Sequence, residues 1–193
     1  MERQTTARAG EAGMGKAATK TFFKLFAYGS LKRGFPAHDR FCRGVVDVRE
    51  AFVWGRLYLH ASGYPLLHVP PRSILAESRA DPLEDEALFL GLSQKFGEQS
   101  SPKGFLGEDS PPGFWSCVYG ELMSFDGLRH RLRLMDDYEG IWPAKGALYR
   151  RVIVPVFAQG KRELAWVYVG AGEAWENLLW IKEGRWPVEK QKG

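Results

Sequence analysis

After its first 20 residues the chain reads as a succession of apolar runs of strand length, set apart by short polar and glycine-containing turns. The runs TFFKLFAY (21–28), RGVVDV (43–48) and AFVWGRLYLH (51–60) are rich in β-branched and aromatic residues, which suit a pleated, half-buried surface. GYPLLHV (63–69) predicts a further short strand, and Pro65 places it at an edge or a start because proline cannot donate to a ladder. CVYGELMSF (117–125), LYRRVIVPVFA (148–158) and KRELAWVYVG (161–170) follow, the last two joined by a turn at Gln159-Gly160.

The rhythm changes in two places. Pro82 to Lys95 reads as a helix with Asp81 as its cap. It lies in an excursion from the sheet at about 70–115, rich in Pro, Gly, Ser and acidic residues. In DGLRHRLRLMDDYEG (126–140), Leu128, Leu132 and Met135 fall on one helical face, with Asp126 as a cap and Gly140 as a stop. The last segment, from Glu173, predicts a short helix and a tail. Six or seven strands joined mostly by short turns, with two or three helices, predict an α+β fold. Its sheet is mixed or mainly antiparallel and curls toward a barrel with helices packed outside. One domain is expected over 21–182, between a disordered leader (1–20) and a tail (183–193).

Composition narrows the classes. Hydrophobic residues make up 45% of 193 and charged residues 26%, a globular balance with enough chain for a sizeable core. The net charge of +4 is spread along the chain without a dense basic block, so nothing here supports nucleic-acid binding. Two cysteines, Cys42 and Cys117, form no disulfide framework and fit a reducing cytoplasm. The four histidines lack ligand spacing, and no metal site is expected. No apolar run reaches the ~20 residues that span a bilayer, and the leader has no apolar signal core.

Two stretches carry candidate chemistry. In Tyr28-Gly29-Ser30-Leu31 a strand breaks into glycine, where backbone N–H groups can face an anion. Read alone, it is an ordinary turn before it is a site. In MDDYEG (135–140) three carboxylates crowd a helix C-terminus, where the macrodipole disfavours them. Mutual repulsion and burial would raise the pKa of one, as a general acid or base requires. Glu139, where the chain leaves the helix, is the candidate, while Asp136 and Asp137 fall nearer the polar face. A solvated acidic helix end is the alternative. No G-x-S-x-G elbow, P-loop or G-x-G-x-x-G occurs.

Together and in order, FAYGSLKRGFPAH, GRLYLHASGYPLL, VYGELMSF, MDDYEG…LYRRVIVPV and AWVYV resemble the γ-glutamylcyclotransferase-like superfamily, closest to its γ-glutamylamine cyclotransferase and AIG2-like branch. The resemblance covers about residues 22–170, interrupted by the 70–115 excursion. It implies a small mixed β-barrel with flanking helices. It also implies cleavage of a small-molecule γ-glutamyl amide by intramolecular cyclisation, releasing 5-oxoproline and a free amine or amino acid without metal or organic cofactor. By that resemblance Glu139 is the acid/base, Tyr28, Gly29, Ser30 and Leu31 form the substrate loop, and Tyr149 stands near the carboxylate. The competing expectation is a non-catalytic binding or regulatory module on the same fold.

Overall fold

In the computed structural model, residues 23–79, 81–99, 111, 113–126, 129–141, 146–172 and 178–187 are described. In chain order they form β1 (Phe23–Ala27), α1 (Pro36–Phe41), β2 (Val45–Leu59), β3 (Pro65–His68), β4 (Ala76–Glu77) and α2 (Pro82–Gln99). Then come β5 (Ser116–Phe125), α3 (Arg129–Glu139), β6 (Tyr149–Ala158), β7 (Lys161–Gly170) and β8 (Leu179–Ile181).

Five strands close a barrel in the order β2-β5-β1-β7-β6, and β6 returns to β2 through Ala51 opposite Ala158 and Phe52 opposite Phe157. Every pairing is antiparallel except β1 with β7, which run parallel at Leu25 and Trp166. β3 and β8 extend the sheet from the end of β2, and β4 pairs with β6. The chain thus has the α+β, mainly antiparallel barrel that its strand pattern predicts.

The differences have local causes. RGVVDV and AFVWGRLYLH merge into one 15-residue strand, because Arg49 and Glu50 between them stay in register with Leu122 and Glu121 of β5. α1 starts at Pro36, whose fixed φ suits a first turn. α2 is capped as expected, the Asp81 carboxylate accepting the Leu83 N–H at 2.8 Å, and it runs on to Gln99. Of the last segment, Leu179–Ile181 is a strand on β2 rather than helix, and residues 173–177 lie outside the described chain. The leader 1–20 and Leu128 also lie outside it.

Apolar side chains divide between two cores. One fills the barrel, with Phe26, Val53, Leu122, Val154 and Val167. The other lies between the barrel wall and the helices, with Phe23, Leu25, Phe89, Leu132, Met135 and Trp166. β1 serves both, with Phe23 and Leu25 outward and Phe26 inward, so it reads as an almost continuous apolar run.

The wall is tightest at Gly120 of β5, where an added Cβ would strike the Ala27 carbonyl and the Phe26 ring. Backbone cannot step aside as a flexible side chain can. Gly120→Ala is expected to lower unfolding free energy by about 1–3 kcal/mol, measured by chemical denaturation.

Candidate active site

β1 ends at Ala27, and the chain turns at once. The Lys32 N–H donates to the Gly29 carbonyl at 3.1 Å, making Gly29–Lys32 a turn. Glycine lets the turn pack closely on Pro65, where a Cβ would lie a tight 3.2 Å from the proline ring. α1 fixes the far end of the turn. The Leu31 carbonyl accepts from His38 Nδ1 at 2.8 Å and lies 3.7 Å from the Cys42 thiol. A carbonyl only accepts, so His38 carries its proton on Nδ1. Burial pushes Cys42 up to about 12, which makes it an inert thiol.

α3 approaches from the other side. It ends in a Schellman arrangement: Gly140 adopts φ +67°, and the Ile141 N–H reaches back to the Asp136 carbonyl at 3.2 Å. That leaves Glu139 as the last helical residue, turned toward the loop. Tyr138 ties the two halves together, its hydroxyl 3.0 Å from Ser30 Oγ and its ring 4.6 Å from Phe41.

Between loop and helix lies a cavity of about 260 Å³. Tyr28, Gly29, Ser30, Leu31, Glu139 and Tyr149 all line it. The Tyr28 hydroxyl donates to the Tyr168 carbonyl at 2.8 Å, and the Tyr149 hydroxyl donates to the Pro65 carbonyl at 2.7 Å. Both protons are committed to backbone, so toward the cavity these phenols offer lone pairs and act as acceptors. Burial raises both phenols above their ordinary values.

Glu139 is partly buried, and its pKa is raised to about 7, first by burial and then by the negative charge of Asp136. Asp136 is not on the polar face as its helical phase suggested; it is 3% exposed. It accepts Arg151 Nε at 2.8 Å, Arg151 Nη2 at 3.0 Å and the Tyr168 hydroxyl at 2.8 Å. An arginine on the facing strand draws it inward, and a helical wheel cannot register a partner that is distant in sequence. Asp137 is exposed, as expected.

Tyr64, Tyr138, Tyr168 and Trp186 also line the cavity, and sequence reasoning passed over them. Tyr138 sits inside the acidic motif and Tyr168 inside AWVYV, so a signal existed for both. Trp186 had none, falling in the stretch expected to be a tail. It is held by stacking on Phe35 with centroids 5.2 Å apart, by its indole N–H on the Gly63 carbonyl at 3.3 Å, and by the Lys32 amine on its own carbonyl. Among the described residues no group of three or more His, Cys, Asp or Glu is placed to hold a metal ion, and no helix is long and apolar enough to cross a membrane.

The raised pKa of Glu139 carries a stability signature. Below the unfolded value near 4.5 both states are protonated and nothing is lost. Between about 4.5 and 7 the unfolded chain ionises first and stability falls, and above about 7 the loss is complete. Glu139→Gln is therefore expected to be more stable than the parent at pH 8, by about 1–3 kcal/mol, and equal to it near pH 4. Denaturation at the two pH values checks this.

Comparison with known proteins now bears on this geometry. No curated protein matches the sequence. Among solved structures, an AIG2-like protein of Mus musculus (GGACT) superposes with a TM-score of 0.50 at 19% identity, covering 88% of this chain and 91% of its own, a likeness of fold. YkqA of Bacillus subtilis gives a TM-score of 0.46 at 17% identity over 86% of this chain, which spans only 40% of that protein's length. The family model described as gamma-glutamyl cyclotransferase, AIG2-like matches residues 25–78 and 105–188, stretches that hold both the loop and the acidic helix end. That match spans well over half of the sequence, and the chain belongs to the gamma-glutamyl cyclotransferase, AIG2-like family.

Proposed function

We propose that this protein is a γ-glutamylcyclotransferase-type enzyme that releases 5-oxoproline and a free amine or amino acid from a γ-glutamyl amide. The observation that carries this reading is one cavity lined by both the Gly29–Leu31 backbone and a carboxyl whose pKa is raised to about 7.

The substrate's α-amino group enters protonated. Tyr28 and Tyr149, presenting lone pairs, accept its N–H groups, and the Gly29–Leu31 amides face the α-carboxylate or the γ-carbonyl oxygen. Glu139 as carboxylate removes one ammonium proton. The freed amine attacks the γ-carbonyl carbon of its own chain, forming the ring C–N bond of a tetrahedral intermediate. The bond to the leaving amine then breaks as Glu139 returns the proton to that nitrogen. The ring nitrogen, left positive by the attack, gives its second proton to the Glu139 carboxylate, which passes it to the departing amine. One group serves both steps because its pKa lies near the working pH. The nucleophile is tethered, so the cavity mainly has to hold the chain curled for closure. A volume of about 260 Å³ suits a γ-glutamyl group with its leaving amine toward the mouth.

A panel of γ-glutamyl amines and γ-glutamyl amino acids, followed by mass spectrometry of 5-oxoproline and the released amine, tests the reading. At least one amide should turn over, with kcat/KM rising through a midpoint near 7. Glu139→Gln should lose about 10²-fold or more while staying folded. Undiminished turnover in that variant, or no product from any amide, would overturn it.

A further inference from the structure

The family match breaks between residues 78 and 105, and the whole of α2 falls in that gap. Successive turns of one face of α2 point at the barrel. One carries Phe89, 2% exposed, its ring 5.6 Å from Phe23 and 6.4 Å from Trp166. The turn before it carries Asp85, which has no exposed surface. A helix that needed only an anchor would place an apolar residue there, since a carboxylate is costly to bury. Asp85 is instead fully engaged. One oxygen accepts Arg151 Nη2 at 2.7 Å and the other accepts the Arg79 N–H at 2.8 Å. The same guanidinium holds Asp136, one helical turn before Glu139.

We propose that Asp85 is a positioning residue for Glu139: by sharing Arg151 with Asp136 it sets the charge and the placement of the last turn of α3, which makes α2 part of the site. Only the kinetic consequence rests on the cyclotransferase reading; the effect on Glu139 itself does not.

The direction of the effect follows from charge. Two carboxylates share one guanidinium, leaving a net negative charge beneath Glu139 that favours its protonated form. With Asp85 neutral, Arg151 fully compensates Asp136, and Glu139 gives up its proton more readily. Besides Asp136, the titratable groups close enough to feel the Glu139 charge are Tyr28 from β1, Cys42 from α1, Tyr149 from β6 and Tyr168 from β7. Burial raises all four above their ordinary values, so none ionises alongside Glu139 near neutral pH.

The experiment titrates Glu139 directly in full-length protein carrying ¹³C-labelled glutamate carboxyls, with Glu139→Gln assigning the signal. Asp85→Asn should lower the Glu139 midpoint by about half a unit or more, and the acidic limb of kcat/KM should shift by the same amount. Phe89→Leu, which loosens α2 without changing charge, should reduce the melting temperature and leave the midpoint in place. If Asp85→Asn is too unstable in buffer, the titration is read in trimethylamine N-oxide, which favours the folded chain. An unchanged midpoint in Asp85→Asn, or an equal shift in Phe89→Leu, would overturn the proposal and leave α2 a packing element. Absence of 5-oxoproline from the parent protein would overturn the cyclotransferase reading alone, because the titration needs no turnover.

Discussion

One cation organises this molecule. Arg151 rises from β6 into the seam between barrel and helices, 1% exposed, and nothing in its apolar surroundings tolerates an unpaired charge. Two aspartates from two helices answer it, and the face of Trp166 lies 4.4 Å beneath the guanidinium. Desolvating three ions is expensive, and the ion pairs offset that cost only while all partners stay in place. The cluster therefore acts as a three-way joint. It fixes α3 against β6 at the turn before the helix ends, and it ties α2 to the same strand through the same guanidinium nitrogen.

The cavity inherits its electrostatics from that joint. Its loop half is rigid for local reasons: a strand end, a glycine against Pro65, and a carbonyl held by His38. Its helix half ends in a glycine-terminated turn, leans on the loop through Tyr138, and is anchored to the barrel from below. Asp136 supplies that anchor, and in doing so brings a negative charge close to Glu139. The interaction that positions the carboxyl also makes it a weaker acid. Position and acidity are thus coupled through a residue that does not line the cavity.

Much of this was legible in the amino-acid order, and the reasons are specific. Strand runs such as LYRRVIVPVFA are rich in β-branched residues and end at a clear turn signal, so the barrel strands could be placed from local pattern. The Tyr28–Leu31 loop and Glu139 were visible because each breaks a rule, a glycine at a strand end and carboxylates at the wrong end of a helix. Asp136 was misjudged because its burial depends on an arginine 15 residues later on another element. Asp85 was read only as part of a helix in an acidic excursion, and Trp186 as tail, because their partners lie across the fold. What period and propensity cannot carry is the identity of a long-range partner.

The single parallel pairing has a consequence for how the molecule comes into being. β1 is bracketed by β5 and β7, so one of its two edges waits for a strand some 140 residues downstream. On a ribosome the loop that follows β1 emerges well before β7, and its barrel wall cannot close until β7 has been synthesised. Loop-closure entropy makes such distant pairings slow relative to local ones. The cavity is therefore among the last features to take shape, and a nascent chain interrupted before β7 would carry the loop and the acidic helix with no wall to hold them face to face.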